Sequence, residues 1–129
     1  MNNDNYLIKK MSQNEEPEFK IITLGDSGVG KTSIIKRYVH GFFEEDTLPT
    51  IGLGFSFKKL TLNGTKIKLK CIDTAGQEKY KSIARTYYKN ADGVLLVFSY
   101  DDKKSFDHIE SWLNSLKENR STDEILFLP

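Results

Sequence analysis

The segment from Gly25 to Thr32, with the sequence Gly-Asp-Ser-Gly-Val-Gly-Lys-Thr, constrains the fold of this chain more than any other stretch. Two glycines are separated by four residues and followed by Lys31 and Thr32, which is the pattern of a phosphate-binding loop. Glycines let the backbone approach phosphate oxygens closely, and successive backbone N–H groups point into one concavity. The lysine can reach the outer phosphates, and the threonine hydroxyl is a ligand for Mg²⁺. The pattern therefore predicts a site for a purine nucleotide with Mg²⁺.

The flanks of the loop predict the context that such a loop requires. Phe19–Leu24 is a short apolar, β-rich run typical of a buried strand. Apolar residues recur at helical spacing from Ser33 to His40, and Gly41 closes that pattern. A strand, the loop and a helix in this order favour a phosphate site over an ordinary glycine-rich turn. The residues predicted to bind the nucleotide on this basis are Asp26, Ser27, Gly28, Val29, Gly30, Lys31, Thr32 and Ser33.

A hairpin is predicted next. Two β-rich runs, 55–62 and 65–72, flank Asn63-Gly64, which is the strongest short-range hairpin signal. In the second run, lysines alternate with apolar residues, which predicts one strand face in solvent and one in the core. We interpret these lysines as a solvated strand face, with a basic patch as the alternative. In the first run two lysines are adjacent, which interrupts the alternation and is compatible with a β-bulge.

The second half of the chain alternates predicted helices and strands. Lys79–Ala91 is interpreted as a loose helix whose aromatic residues fit the core and a docking face equally well. Gly93–Ser99 is a continuous apolar run and predicts a strand buried on both faces. Ser105–Asn119 predicts an amphipathic helix with Ser105 as its N-cap, and another strand begins at Glu124. We therefore expect a mostly parallel α/β sheet with one antiparallel hairpin edge and the strand order second, third, first, fourth, fifth.

The totals exclude several classes of protein. The chain is 29% charged and 38% apolar with a net charge of +1, which is typical of a soluble globular protein and gives no reason to expect nucleic acid as a partner. No apolar run is long enough to span a bilayer. The single cysteine, Cys71, fits a reducing compartment, and His40 and His108 lack neighbours at metal-ligand spacing. Residues 1–18 are polar and predict a disordered arm before a domain over 19–129.

A second block of polar residues, Asp73-Thr74-Ala75-Gly76-Gln77-Glu78, directly follows an apolar strand end. In a chain with a phosphate loop, an acidic residue at that position is the expected second anchor for Mg²⁺. Gly76 allows its backbone N–H to approach a phosphate, and Gln77 can orient water without being a strong base. Asp73 is therefore a candidate metal ligand, and Gln77 is a candidate catalytic residue.

These blocks together resemble the Ras superfamily of small GTPases, and most closely its Rab branch. The resemblance is carried by residues 25–33, 50–55, 73–78 and 87–93, and it covers 19–128 in the family's order and spacing. It implies a P-loop NTPase three-layer sandwich that lacks the family's last strand and helices, with GTP or GDP and Mg²⁺ as cofactors. It also implies that Thr50 joins Thr32 and Asp73 at the metal, that Gln77 orients the attacking water and that Phe43 lies against the guanine.

The function implied by the resemblance is a GTP-hydrolysing switch in vesicle-mediated transport. Regulatory and effector proteins would engage two switch loops, 42–55 and 73–91, and the protein would be cytoplasmic and peripheral at endomembranes. Gly54 departs from the acidic residue that Rab proteins carry there. The chain ends before the family's guanine-reading motifs and lipidation cysteines, so we expect marginal folding and weak guanine selectivity. Two alternatives are a truncated, non-catalytic module that engages switch-binding partners, and a P-loop protein that uses ATP, against which the 73–78 block argues.

Overall fold

The computed structural model describes residues 16–43, 53–74 and 86–119 of the chain. Residues 86–88 have helical backbone. The longer elements in these ranges are, in order, β1 (Glu18–Leu24), α1 (Lys31–His40), β2 (Leu53–Leu62), β3 (Thr65–Thr74), β4 (Gly93–Leu96), α2 (Lys103–Asp107) and α3 (Ile109–Asn119).

The strands form one sheet in the order β2-β3-β1-β4. β1 is parallel to both β3 and β4, whereas β2 is antiparallel to β3. The predicted α/β class, the antiparallel hairpin edge and the order of the first four strands are therefore confirmed, while the fifth predicted strand lies outside the described residues. Because parallel strands end at the same edge of a sheet, the segments that follow β1 and β4 meet the end of β3 at that edge.

The hairpin has the turn that its sequence predicts. Asn63 and Gly64 have φ angles of 48° and 81°, and two successive positive values are those of a type I′ turn. Pairing continues without a bulge from Leu62–Thr65 to Leu53–Thr74. The expected alternation is present in part of β3, where Ile67 and Cys71 are buried while Lys66 is exposed and Lys68 and Lys70 are intermediate.

Helices cover both faces of the sheet. On one face, α1 contacts β2 and β3, and Lys58 of β2 donates to the Tyr38 carbonyl at 2.7 Å. On the opposite face, the side chains of Trp112 and Leu116 from α3 pack on the sheet. The main buried cluster on this second face consists of Ile22, Leu24, Ile72, Tyr88, Ala91, Trp112 and Leu116. None of the helices in the described ranges is long and apolar enough to cross a membrane.

The fourth strand differs from its prediction. β4 ends at Leu96, and Leu95 is 45% exposed, so the expectation of a strand over Gly93–Ser99 buried on both faces is wrong. In the described sheet β4 pairs only with β1, and α1 lies over β2 and β3 instead. The side chain of Leu95 is therefore left partly in solvent, and an apolar sequence alone does not bury a strand.

The helix predicted over Ser105–Asn119 begins earlier and is divided at His108. Its first part is α2, and the N-cap is Asp102, whose carboxylate accepts from the backbone N–H groups of Lys104 and Ser105. The prediction of Ser105 as N-cap is wrong because its hydroxyl is buried and used elsewhere. It accepts from the Ser99 backbone N–H at 2.9 Å, which ties the segment after β4 to the start of the helices.

The N-terminal end of the sheet begins within the predicted arm. β1 starts at Glu18, and the Pro17 carbonyl accepts from the Lys68 backbone N–H at 2.9 Å. Glu16 also lies 3.3 Å from Lys59 in an ion pair. The last residues of the 1–18 segment thus lie along the sheet, and residues 1–15 are outside the described ranges.

Candidate phosphate and metal site

The loop between β1 and α1 has a backbone that depends on its glycines. Gly28 and Gly30 have φ angles of 79° and 104°, values that favour glycine over any residue with a Cβ. Gly25 is restricted by space as well, since a Cβ there would lie 2.1 Å from the carbonyl oxygen of Val97. The loop is therefore held against the segment that follows β4, and its shape is set by backbone contacts.

The N-terminus of α1 points its positive end into this loop. The helix begins at Lys31, its N-cap is Gly30, and Gly30 offers no side-chain cap. The first turn contains no acidic residue of its own. Such a helix end carries a partial positive charge and attracts anions.

Lys31 is the buried cation of the site. Only 5% of the residue is exposed, and its Nζ donates to the carbonyl oxygens of Gly25 and Asp26 at 2.8 and 2.6 Å. Burial lowers the pKa of Lys31 below the ordinary lysine value, while the charges of Asp73 and Asp26 act in the opposite direction. A desolvated ammonium of this kind is stabilised by an anion placed beside it.

A hydroxyl and a carboxylate meet next to this lysine. Thr32 Oγ1, at the start of α1, donates to Asp73 Oδ2 near the end of β3. Asp73 is 7% exposed, and Thr23 Oγ1 lies 3.5 Å from its Oδ1. The parallel pairing of β1 with β3 brings these groups together although 41 positions separate Thr32 from Asp73. Hydroxyl and carboxylate oxygens are the ligands that Mg²⁺ prefers, so the donor set fits that ion.

Asp26 takes part in the loop through its main chain, and its side chain contacts the helices. Trp112 Nε1 donates to Asp26 Oδ1 at 2.8 Å, and His108 Nδ1 lies 2.5 Å from Asp26 Oδ2. The sequence shows no cysteine or carboxylate at metal-ligand spacing from His108 and therefore predicts a structural histidine. In the fold its ring contacts the carboxylate of Asp26, 82 positions away.

Some of the remaining predicted residues lie within the described ranges, and the others lie outside them. Ser27 and Gly28 are exposed on the loop, and Val29, Gly30 and Ser33 are partly exposed around it. Phe43 follows α1 and is 62% exposed. Thr50, Gly76 and Gln77 lie outside the described residues, as do most of both predicted switch loops. In the described part of the chain, no group of three or more His, Cys, Asp or Glu residues could hold a metal ion by itself.

Sequence reasoning missed Thr23 as part of the site. Its hydroxyl approaches Asp73, and its carbonyl accepts from Thr74 Oγ1 at 2.5 Å. Thr23 is 1% exposed, so a polar side chain is buried at the carboxyl end of a central strand. The sequence does mark Thr23, because it is the one hydroxyl residue in an otherwise apolar strand end. Only the pairing of β1 with β3 shows that its neighbour is Asp73.

Comparison with known proteins gives one consistent result. The family model described as "Ras family" matches residues 20–128. The chain is 46% identical over 103 residues to "Ras-related protein Rab-13" of Canis lupus familiaris, covering 80% of this chain and 51% of the relative. It is 42% identical over 105 residues to "Ras-related protein Rab-8B" of Homo sapiens (81% and 51% covered), and 47% identical over 104 residues to "Ras-related protein Rab-11B" of Dictyostelium discoideum (81% and 47% covered). The chain spans about half the length of the curated relatives it matches.

Proposed function

Because the chain belongs to the Ras family, we propose that it binds GTP and GDP with Mg²⁺, hydrolyses GTP and acts as a molecular switch in vesicle-mediated transport. The observation that carries the proposal is the buried ammonium of Lys31 beside the Thr32–Asp73 pair. A cation, a helix N-terminus and two oxygen ligands for a metal lie at one edge of the sheet. Together they suit the phosphates of a nucleotide.

Thr32 and Asp73 are the described residues that would hold Mg²⁺, with Thr50 added by the family resemblance. The chemistry that the ion supplies there is neutralisation of charge on the outer phosphates. Lys31 binds the same phosphates by exchanging its loop carbonyl partners for phosphate oxygens. The loop N–H groups and the first turn of α1 orient them.

Hydrolysis needs positioning more than covalent chemistry. Gln77 is the residue proposed to orient the attacking water, and Gly76 to place a backbone N–H near the γ-phosphate. An arginine supplied by a partner protein would accelerate such a reaction by about 10³–10⁵-fold. The proposed contacts with regulators and effectors lie in segments 42–55 and 73–91, which would change order with the γ-phosphate. The proposed place of action is the cytoplasmic face of endomembranes.

Nucleotide binding is tested by titrating a fluorescent GTP analogue into the unsubstituted chain and into Lys31→Ala. The alanine should remove detectable binding because it deletes the cation of the site. Lys66→Ala is the matched control, since Lys66 is exposed on β3 and should leave affinity unchanged. Equal affinity in the Lys31 variant would contradict the proposal. Displacement by unlabelled GTP but not by ATP would show guanine preference, and equal displacement would show that the site binds the phosphates without selecting the base.

Hydrolysis is tested separately in single-turnover experiments with Gln77→Leu. Leucine has a similar size but cannot hold a water molecule, so hydrolysis should slow while binding persists. A rate equal to that of the unsubstituted chain, with an activating protein present, would remove Gln77 from the mechanism. Binding without hydrolysis in the unsubstituted chain would favour the alternative of a non-catalytic module.

A further inference from the structure

The side chain of Asp26 has both carboxylate oxygens engaged by residues far along the chain. Trp112 Nε1 donates to Oδ1 at 2.8 Å, and His108 Nδ1 lies 2.5 Å from Oδ2. The carboxylate is mostly buried, with 23% of the Asp26 side chain exposed, while 57% of the His108 side chain is exposed. The second residue of the phosphate loop is thus fastened to the junction of α2 and α3.

The positions of Trp112 and His108 are set by the helices and the core and not by the phosphate loop. Trp112 is 2% exposed and belongs to the main buried cluster, so core packing fixes its indole ring. His108 lies at the end of α2, where its backbone N–H donates to the Lys104 carbonyl at 3.0 Å. The start of α2 is itself fixed by the Asp102 cap and by Ser105, which bonds to Ser99. The helices therefore present to the loop an indole ring that is fixed by core packing and an imidazole ring on a backbone that is fixed by the end of α2.

A carboxylate in a phosphate loop is electrostatically unfavourable when a polyphosphate binds. Like charges repel, and the repulsion is strongest where water is excluded. A negative charge near Lys31 would also compete with the phosphates for its ammonium, since Asp26 already contributes attraction there. Hydrogen bonds to a charged acceptor are stronger than those between neutral groups, so the pair of donors can hold the carboxylate against that repulsion.

We propose that Trp112 and His108 are positioning residues of the phosphate site, which keep the Asp26 carboxylate turned toward the helices and away from the bound phosphates. The inference rests on the proposed function, because it assigns a role in nucleotide retention. Neither residue touches the nucleotide in this role. They act through Asp26, whose backbone carbonyl contacts Lys31 while its side chain is restrained.

The test measures dissociation of a fluorescent guanine nucleotide from the full chain carrying Trp112→Phe. Phenylalanine retains an aromatic ring in the core but has no N–H group. Dissociation should accelerate by about tenfold, the effect of one hydrogen bond to a charged group. His108→Phe should act in the same direction, and His108→Gln, which can still donate, should restore most of the retention. Leu116→Ala is the packing control, because it weakens the same buried cluster without touching Asp26.

The decisive variant is the double substitution Trp112→Phe with Asp26→Asn. Removing the negative charge should return the dissociation rate toward that of the unsubstituted chain, whereas a purely structural tryptophan would leave it fast. Unchanged dissociation in Trp112→Phe, equal acceleration in Leu116→Ala, or no rescue by Asp26→Asn would each overturn the positioning role. Failure of the unsubstituted chain to bind any guanine nucleotide would instead overturn the proposed function and this role with it. The two failures are therefore distinguishable in one set of measurements.

Discussion

At the scale of single residues, the candidate site includes a close backbone contact at Gly25 and a buried charge at Lys31. Gly25 lies against the Val97 carbonyl, and Lys31 is 5% exposed between the loop carbonyls and Asp73. Each has a consequence for stability that can be measured without any nucleotide.

Gly25→Ala should lower the free energy of unfolding by about 1–3 kcal/mol, because the new methyl group would lie 2.1 Å from the Val97 carbonyl oxygen and the backbone must move to admit it. Urea unfolding followed by circular dichroism measures the change. Gly54→Ala is the matched control, since its Cβ would meet Asp73 Cβ at an ordinary 3.7 Å. Equal effects of the two alanines would contradict the proposed contact.

Lys31 should make stability depend on pH in the alkaline range. Burial lowers its pKa in the folded state, so the unfolded chain binds more protons as pH approaches the ordinary lysine value of 10.5. The contribution of Lys31 to stability therefore rises with pH through the window below 10.5 and is lost as pH falls through the lowered value. In Lys31→Met this rise should disappear from urea titrations. Lys66→Met controls for loss of a surface charge, and a rise that persists in Lys31→Met would contradict the assignment.

At the scale of elements, the junction of α2 and α3 connects the sheet edge with the phosphate loop. The N-cap Asp102 starts α2, Ser105 bonds to the segment after β4, and His108 and Trp112 reach Asp26 from the helices. A short helix such as α2 has few internal hydrogen bonds, so its cap and its tertiary contacts maintain it.

Asp102→Ala should destabilise the protein by about 0.5–2 kcal/mol, the usual cost of losing an N-cap carboxylate. The alanine leaves the Lys104 and Ser105 N–H groups without the oxygen that now accepts from them. Denaturant unfolding gives the magnitude. Asp107→Ala, which removes only an exposed pair with Lys103, should cost less than half as much, and a larger cost there would argue against the cap.

At the scale of the whole molecule, the parallel strands bring distant segments to one edge. The loop after β1, Asp73 of β3 and the backbone after β4 meet there, and Val97 N–H donates to the Leu24 carbonyl at 2.8 Å. The site therefore forms only when the sheet forms, so local damage to the site and global unfolding need separate probes.

Cys71 offers a probe of global unfolding. It is 6% exposed, and burial raises the pKa of its thiol, with Lys58 acting in the opposite direction. Since the thiolate is the reactive form, alkylation by iodoacetamide should be slow in the native protein and should follow unfolding in urea. The chain has a single cysteine, so mass spectrometry reports on this position alone. Rapid alkylation without denaturant would show that β3 opens locally.

The sequence alone determined the elements whose signals are local. The Asn63-Gly64 turn, the strand before the phosphate loop and the helix that ends at Gly41 each depend on neighbouring residues, and all are present in the structure. Strand order also followed from the alternation of strands and helices, because connection rules leave few arrangements. The role of Gln77 stays a prediction.

Only the tertiary structure decided which distant side chains meet. The Asp26 contacts with His108 and Trp112 join groups more than 80 positions apart, and no spacing rule in the sequence reports them. The same holds for the exposure of Leu95, which the apolar sequence of β4 does not indicate. Asp102 displaced Ser105 as the cap because the Ser105 hydroxyl was needed to tie the helix to Ser99. Which hydrogen-bond partner a side chain takes depends on the packing of distant segments, and the order of residues in the sequence does not specify that packing.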